Sequence, residues 1–119
     1  MRFFEITVQK DPKIFLKHIL ESIDAIENYA AGQTFNSFLN SLKDQDAVIR
    51  RLEIIGEAVK NLGEDFKKTH SEIPWSKIAG LRNILIHEYF IVDIRAVWDT
   101  IQDDLPLLKK QIKDVLEKS

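Results

Sequence analysis

The sequence predicts an all-α fold, an antiparallel bundle of the four-helix type with a short N-terminal extension. Three observations point there. Apolar residues recur at three- and four-residue steps through most of the chain, the spacing that lines one helix face. Helix start and stop residues punctuate those stretches. Alternation of period two, the mark of a strand, is confined to Phe3 to Val8.

The elements follow in order. Asp11-Pro12 supplies an N-cap and a proline for the first turn. Ile14, Phe15, Ile19, Ile23 and Ile26 then recur at helical spacing, and Gly32 ends that helix. Thr34 opens a short turn around Phe35, Phe38, Leu39 and Leu42. Asp44 or Asp46 starts the next long helix. Its stripe is Val48, Leu52, Ile55, Val59 and Leu62, and Gly63 stops it. Ser71 to Pro74 reads as a loop ending in an X-Pro step. Trp75 to Tyr89 is helical again, with Gly80 as a break or a point of close approach. Asp93 caps a fourth segment carrying Ile94, Val97, Trp98 and Ile101. Pro106 bends or restarts it after Asp104, and Leu107 to Leu116 finishes amphipathic. Residues 1–119 make one domain, in which residues 1–9 are an extension with no assigned role.

Composition narrows the function. Hydrophobic residues are 45% of the chain, enough for one core, and charged residues at 30% are mixed in sign. The net charge is -2 and the pI about 5.9, which argues against broad coating of nucleic acid but leaves room for a local site. With no cysteine there is no disulfide and no thiolate chemistry. No apolar run approaches the roughly 18 residues that span a bilayer, and the first ten residues lack a signal-peptide core. The expected location is the cytoplasm, with no membrane partner.

The stretch Arg82-Asn83-Ile84-Leu85-Ile86-His87-Glu88-Tyr89 carries the chemistry. Arginine is a fixed cation whose planar fork matches phosphate oxygens. Histidine exchanges a proton near neutral pH. Together, without a cysteine or a metal-ligand motif, they suggest phosphoester chemistry that needs no metal and no other cofactor. A lone arginine and histidine on a helix are more often a surface charge and a satisfied amphipathic residue.

Helix geometry sharpens this. At about 100° per residue, Arg82 and Tyr89 share a face, and Asn83 and His87 share the adjacent stripe. Arg82 and His87 stand about 140° apart, so one regular helix presents them poorly to one phosphate. Either the helix starts or kinks near Gly80, or a second copy supplies the missing partner across a two-fold axis. The second route is preferred, because it brings two arginines and two histidines into one cleft.

The segment IPWSKIAGLRNILIHEYF resembles the HEPN domains of the HepT type, the toxin halves of HepT–MntA toxin–antitoxin pairs. RRLEIIGEAVKNL and VWDTIQDDLPLL are similar to the same family, so the likeness runs from about Lys10 to Lys110. The resemblance implies a metal-independent endoribonuclease that works as a homodimer on RNA. It implies catalytic roles for Arg82 and His87. It also implies a cognate MntA-type minimal nucleotidyltransferase antitoxin that silences the toxin by attaching AMP to Tyr89. The alternative is a non-catalytic helical subunit that partners a nucleotidyltransferase, since members of the superfamily are not all nucleases.

Physical chemistry fits that carry-over. RNA holds its own nucleophile, the 2′-hydroxyl. Cleavage needs a base for its proton and an acid for the departing 5′-oxygen, and a histidine with a pKa of about 6.5 serves either task. Arg82 would hold the phosphate and stabilise its transition-state charge. Asn83 would orient His87 or donate to the phosphate. Glu57 lies on a polar stripe with Glu53, Lys60 and Asn61, so a solvated face is its plain reading and a carboxylate positioning Arg82 its sharper one. His18 and His70 lack metal-ligand neighbours and read as ordinary exposed residues. Trp75 and Trp98 read as core or interface anchors, and Asp103-Asp104 as a helix cap. Arg50, Arg51, Lys60, Lys67, Lys68 and Lys77 form a solvated surface, or hold an RNA backbone if some gather around the cleft.

Overall fold

The computed structural model of the chain describes residues 11–87 and 92–118, with the backbone alone at positions 84, 86 and 87. The N-terminal extension, the alternating stretch Phe3 to Val8 and Tyr89 lie outside the described residues. Within them the fold is all-α, with no strand.

Helix α1, Pro12–Ala30, starts where the sequence puts it. The Asp11 carboxylate accepts from the Lys13 N–H at 3.0 Å, and Pro12 takes the first turn, where a missing N–H costs nothing. Leu16, Ile19, Ile23 and Ile26 are buried, while Ile14 and Phe15 are only half-buried. Gly32 follows with φ +74°, a left-handed backbone that a side chain resists.

Thr34 opens a five-residue helix, α2 (Phe35–Leu39), where the sequence suggested only a turn. A reciprocal cap makes so short a helix possible. The Ser37 N–H donates to Thr34 Oγ1 at 3.1 Å and the Thr34 N–H to Ser37 Oγ at 3.0 Å. Helix α3, Leu42–Lys60, begins earlier than expected. Its N-cap is Ser41, not Asp44 or Asp46: Ser41 Oγ accepts from the Asp44 N–H at 3.3 Å and donates to the Asp44 carboxylate at 2.7 Å. Val48, Leu52, Ile55, Val59 and Leu62 are all buried, as the stripe requires.

Gly63 does not stop α3, which closes at Asn61. Gly63 is the N-cap of a further short helix, α4 (Glu64–Thr69). That helix buries none of its six residues fully, so it has no apolar stripe to announce it. Helix α5, Trp75–His87, follows Pro74. The buried Trp75 donates its ring N–H to the His70 carbonyl at 2.9 Å. His70 is therefore half-buried rather than exposed, with its ring 4.7 Å from that of Phe66.

Asp93 caps α6, Ile94–Asp99, accepting from the N–H groups of Arg95 and Ala96 at 2.9 and 3.3 Å. Asp103 and Asp104 cap nothing. They lie in a wide π turn, Thr100–Asp104, that runs on into α7, Leu105–Lys118. Pro106 explains the turn. It donates no N–H, and its ring would press on the carbonyl four residues back, so widening the preceding turn relieves that contact without ending the helix.

Helix α3 lies between α1 and α5, α7 packs on α1, and α2 joins α3 to α6. One apolar cluster runs through all the long helices, and truncating a residue such as the fully buried Ile55 to alanine is expected to cost about 2–5 kcal/mol. Trp98 packs on this core with its ring 5.3 Å from Phe38, the anchoring role expected of it. Lys109 ties α7 to α1, at 2.6 Å from Glu27 and 3.1 Å from Asp24. Those hydrogen bonds, Glu27 foremost, raise its pKa above the ordinary 10.5.

Candidate active site

The site begins with a glycine in the middle of α3. A Cβ on Gly56 would stand 3.1 Å from both Cβ and N of Arg82 and 3.2 Å from the carbonyl oxygen of Ile78. Only a residue without a side chain lets α3 and α5 meet there. Gly56 costs helix propensity of about 1 kcal/mol relative to alanine, and the close approach is what it provides in return. Arg82 thus leaves its helix already touching α3.

One residue beyond that contact, the Glu57 carboxylate takes the Arg82 Nε in an ion pair. Both side chains are partly exposed, so the bond adds little to stability and much to orientation. Engagement through Nε leaves the two terminal guanidinium nitrogens for another anion, and these form the fork that grips a phosphate. Arg82 and Glu57 line a cleft of about 310 Å³, with Phe15 and His18 from α1 and Arg50, Glu53 and Asn61 from α3 and its cap. Arg50 is itself paired with Glu53 at 3.3 Å. Asn61 is fixed by donating to the Glu57 carbonyl at 2.9 Å.

The rest of the motif sits elsewhere on α5. Asn83 is exposed. His87 is the last residue of the helix, and its side chain, like all of Tyr89, is outside what the structure describes. The helix runs unbroken through Gly80, whose Cβ position has no atom within 4 Å among the described residues. Among the described residues Gly80 is therefore neither a break nor a close approach, and the helix does not kink there to bring Arg82 round. On a continuous helix, position 87 falls on the face of Ser76, Gly80 and Asn83, about 140° round the axis from Arg82.

Several sequence candidates separate here. His18 does line the cleft, though it is exposed as expected. Of the six basic residues singled out, Arg50 alone lines this cleft. Lys67, Lys68 and Lys77 line a different groove, of about 630 Å³, beside α4 and the start of α5. An apolar cavity of about 500 Å³, with Leu52, Ile55, Ile78 and Leu108 in its walls, contains none of the motif residues. Gly56 was missed from sequence, although an interior glycine in an otherwise good helix was the available signal. Among the described residues no cluster of histidines and carboxylates is built to hold a metal ion. No described helix is long and apolar enough to cross a membrane.

The family model for ribonuclease HepT-like proteins matches residues 19–115. A Thermococcus cleftensis protein named "Probable ribonuclease HepT" is 48% identical over 86% of this chain and 93% of its own length. A Caldanaerobacter subterraneus protein named "Putative RNase" is 45% identical over 92% of this chain and 97% of its own. A Methanocaldococcus jannaschii protein named "Gamma-glutamylcyclotransferase and putative RNase" is 48% identical over 93% of this chain, which spans 50% of that longer protein. No solved structure matches.

Proposed function

This chain belongs to the ribonuclease HepT-like family, and we propose on that premise that it is a metal-independent endoribonuclease, the toxin of a type VII-like toxin–antitoxin pair. The observation that carries the reading is the Arg82–Glu57 ion pair, which holds the guanidinium by Nε in the wall of a cleft. In the mechanism, Arg82 grips the scissile phosphate through its terminal nitrogens. A histidine at position 87 takes the proton of the 2′-hydroxyl, whose oxygen attacks the phosphorus. The P–O5′ bond breaks, and an acid, the second histidine of a dimer, protonates the departing oxygen. The products are a 2′,3′-cyclic phosphate and a 5′-hydroxyl.

A homodimer supplies the convergence that one helix lacks. The face of α5 holding Ser76, Gly80 and Asn83 is exposed at Ser76 and Asn83 and has open space beside Gly80 among the described residues, so a second copy of α5 fits against it around a two-fold axis. Asn83, on that face, orients the histidine or donates to the phosphate.

Control falls to Tyr89. A cognate nucleotidyltransferase of the MntA type attaches AMP to its hydroxyl, placing an anion and an adenine where substrate must lie. Tyr89→Phe removes the acceptor oxygen and keeps the ring. Co-expression with the partner should add whole-AMP mass to the native chain and none to Tyr89→Phe.

Catalysis is tested by incubating purified, unmodified protein with RNA in excess chelator. His87→Ala and Arg82→Ala should each lose about 10²–10⁴-fold in rate with the helical circular dichroism unchanged. DNA, without the internal nucleophile, should resist. Undiminished cleavage by either variant would remove the assigned site.

A further inference from the structure

We propose that the groove between α4 and the start of α5 is a second RNA-binding site, one that holds the phosphodiester backbone of the substrate away from Arg82. It rests on the ribonuclease reading above for the identity of the polyanion. Lys67 and Lys68 reach the groove from α4 and Lys77 from α5, with the hydroxyls of Ser71 and Ser76 beside them. One carboxylate faces these three cations. It is Glu64, 3.7 Å from Lys67 and largely in solvent.

Elsewhere the cations are of two kinds: Lys60, Lys110 and Lys113 have no ion pair with a described residue, and four others are paired. Arg50, Arg82, Arg95 and Lys109 each have a carboxylate in contact. In the Arg82 cleft two arginines meet two glutamates, which leaves that cleft room for one phosphate and little pull on the next. Lys68 and Lys77 have no acidic partner among the described residues. A concave site with this excess of ammonium groups, in a chain of net charge -2, suits a polyanion.

The groove's chemistry says how the polyanion is read. Lysine is a compact point charge that takes phosphate without demanding one geometry. The aromatic residue in the wall, Trp75, is buried with its ring N–H committed to the His70 carbonyl, so no stacking platform is offered to a base. Contacts are therefore to the backbone, and they position the strand without reading its sequence.

The groove also leads to the right place. Ser76 in its wall lies at the start of the α5 face on which position 87 falls. From position 76 to position 87 is eleven residues, roughly 16 Å at about 1.5 Å each. A strand held at the groove is therefore within a few nucleotides of the catalytic end, which it reaches along the edge of that face, beside the second copy of α5.

The test uses the full-length Lys68→Gln/Lys77→Gln double variant, which keeps the Lys67–Glu64 pair, and the triple variant that adds Lys67→Gln. Lys110→Gln/Lys113→Gln on α7 is the charge-matched control. Binding of a labelled oligonucleotide is measured over a range of salt in a His87→Ala background. Cleavage of the oligonucleotide and of a dinucleotide is measured with His87 intact. The triple variant should bind about ten-fold or more weaker at low salt, with a log–log salt slope shallower by about 2, and the double variant should fall between. KM for the oligonucleotide should rise while cleavage of the dinucleotide, which has a single phosphate, and the choice of cut position stay unchanged. The control should match the parent protein. If parent protein binds and cuts RNA and the lysine variants match it in slope and KM, the groove is refuted and the ribonuclease reading stands. Equal losses in the control would reduce the effect to net charge and also refute the groove. If parent protein neither binds nor cuts RNA, the ribonuclease reading fails and takes the groove with it.

Discussion

Two glycines on facing helices do opposite work. Gly56 in α3 is pressed against Arg82, with no room for a methyl group. Gly80 in α5 faces open space among the described residues. The first is a contact completed inside the chain: it fixes where Arg82 leaves its helix and so lets Glu57 hold it. The second lies on a surface that no other described residue covers, on the side of α5 where position 87 falls. A residue type chosen for lacking a side chain thus marks a finished internal joint in one place and an open face in the other. In the proposed mechanism Arg82 belongs to the joint and position 87 to the other face of α5, which is why that mechanism calls on a second copy of the chain.

The largest effect should come from closing the joint. Gly56→Val puts two methyl groups against backbone atoms of α5, and overpacking of this kind costs about 1–3 kcal/mol. The melting temperature should fall by several degrees, and RNA cleavage should fall further than stability does, because Arg82 is displaced. A Gly56→Val protein as active and stable as the parent would show that the α3–α5 contact at Gly56 does not set the position of Arg82. Glu57→Ala leaves the joint intact and releases the guanidinium. It should barely move the melting temperature, since the pair is partly exposed, yet lower kcat/KM by about ten-fold. Glu57→Asp, which keeps the carboxylate, should recover part of the loss.

Gly80→Ala is the mirror experiment. With nothing near its Cβ, the change should leave the isolated chain as stable or stabilise it by up to about 1 kcal/mol through helix propensity. Destabilisation of the isolated chain would show that Gly80 is a joint after all. The smallest effect concerns neither glycine. Lys109→Gln removes the tie between α7 and α1 and should lower the melting temperature slightly near neutral pH. The folded pKa of Lys109 is raised, so its contribution is present below about 10.5 and fades as pH rises through the folded value. The difference between the two proteins should therefore shrink at strongly alkaline pH.

What was legible in the sequence was local and periodic. The Asp11-Pro12 start of α1, the buried stripe of α3 and the Asp93 cap each depend on residues within a turn or two of one another, and each stands as read. Two short helices escaped. α2 depends on a reciprocal Thr34–Ser37 cap, and α4 buries too little to show a period. Ser41 was passed over for the aspartates that follow it, because a serine cap and an acidic first turn give the same signal one turn apart. The π turn was invisible, since Pro106 tells only that something must yield before it. At the site, a Glu57 carboxylate that positions Arg82 was the sharper of two readings, and the two side chains do pair; the contact at Gly56 that brings them together was not read, because it joins helices distant in sequence. The same distance hid Lys67, Lys68 and Lys77 as a group and sent Gly80 to the role that Gly56 fills.

The claim that the open face of α5 completes the site is tested most directly by Gly80→Arg, with mass by light scattering and RNA cleavage in chelator followed on the same samples. The added side chain has space in one chain and none between two. The account predicts a folded monomer, with unchanged circular dichroism and cleavage reduced by about 10²-fold or more. A folded monomer that cuts RNA at the parent rate would contradict it.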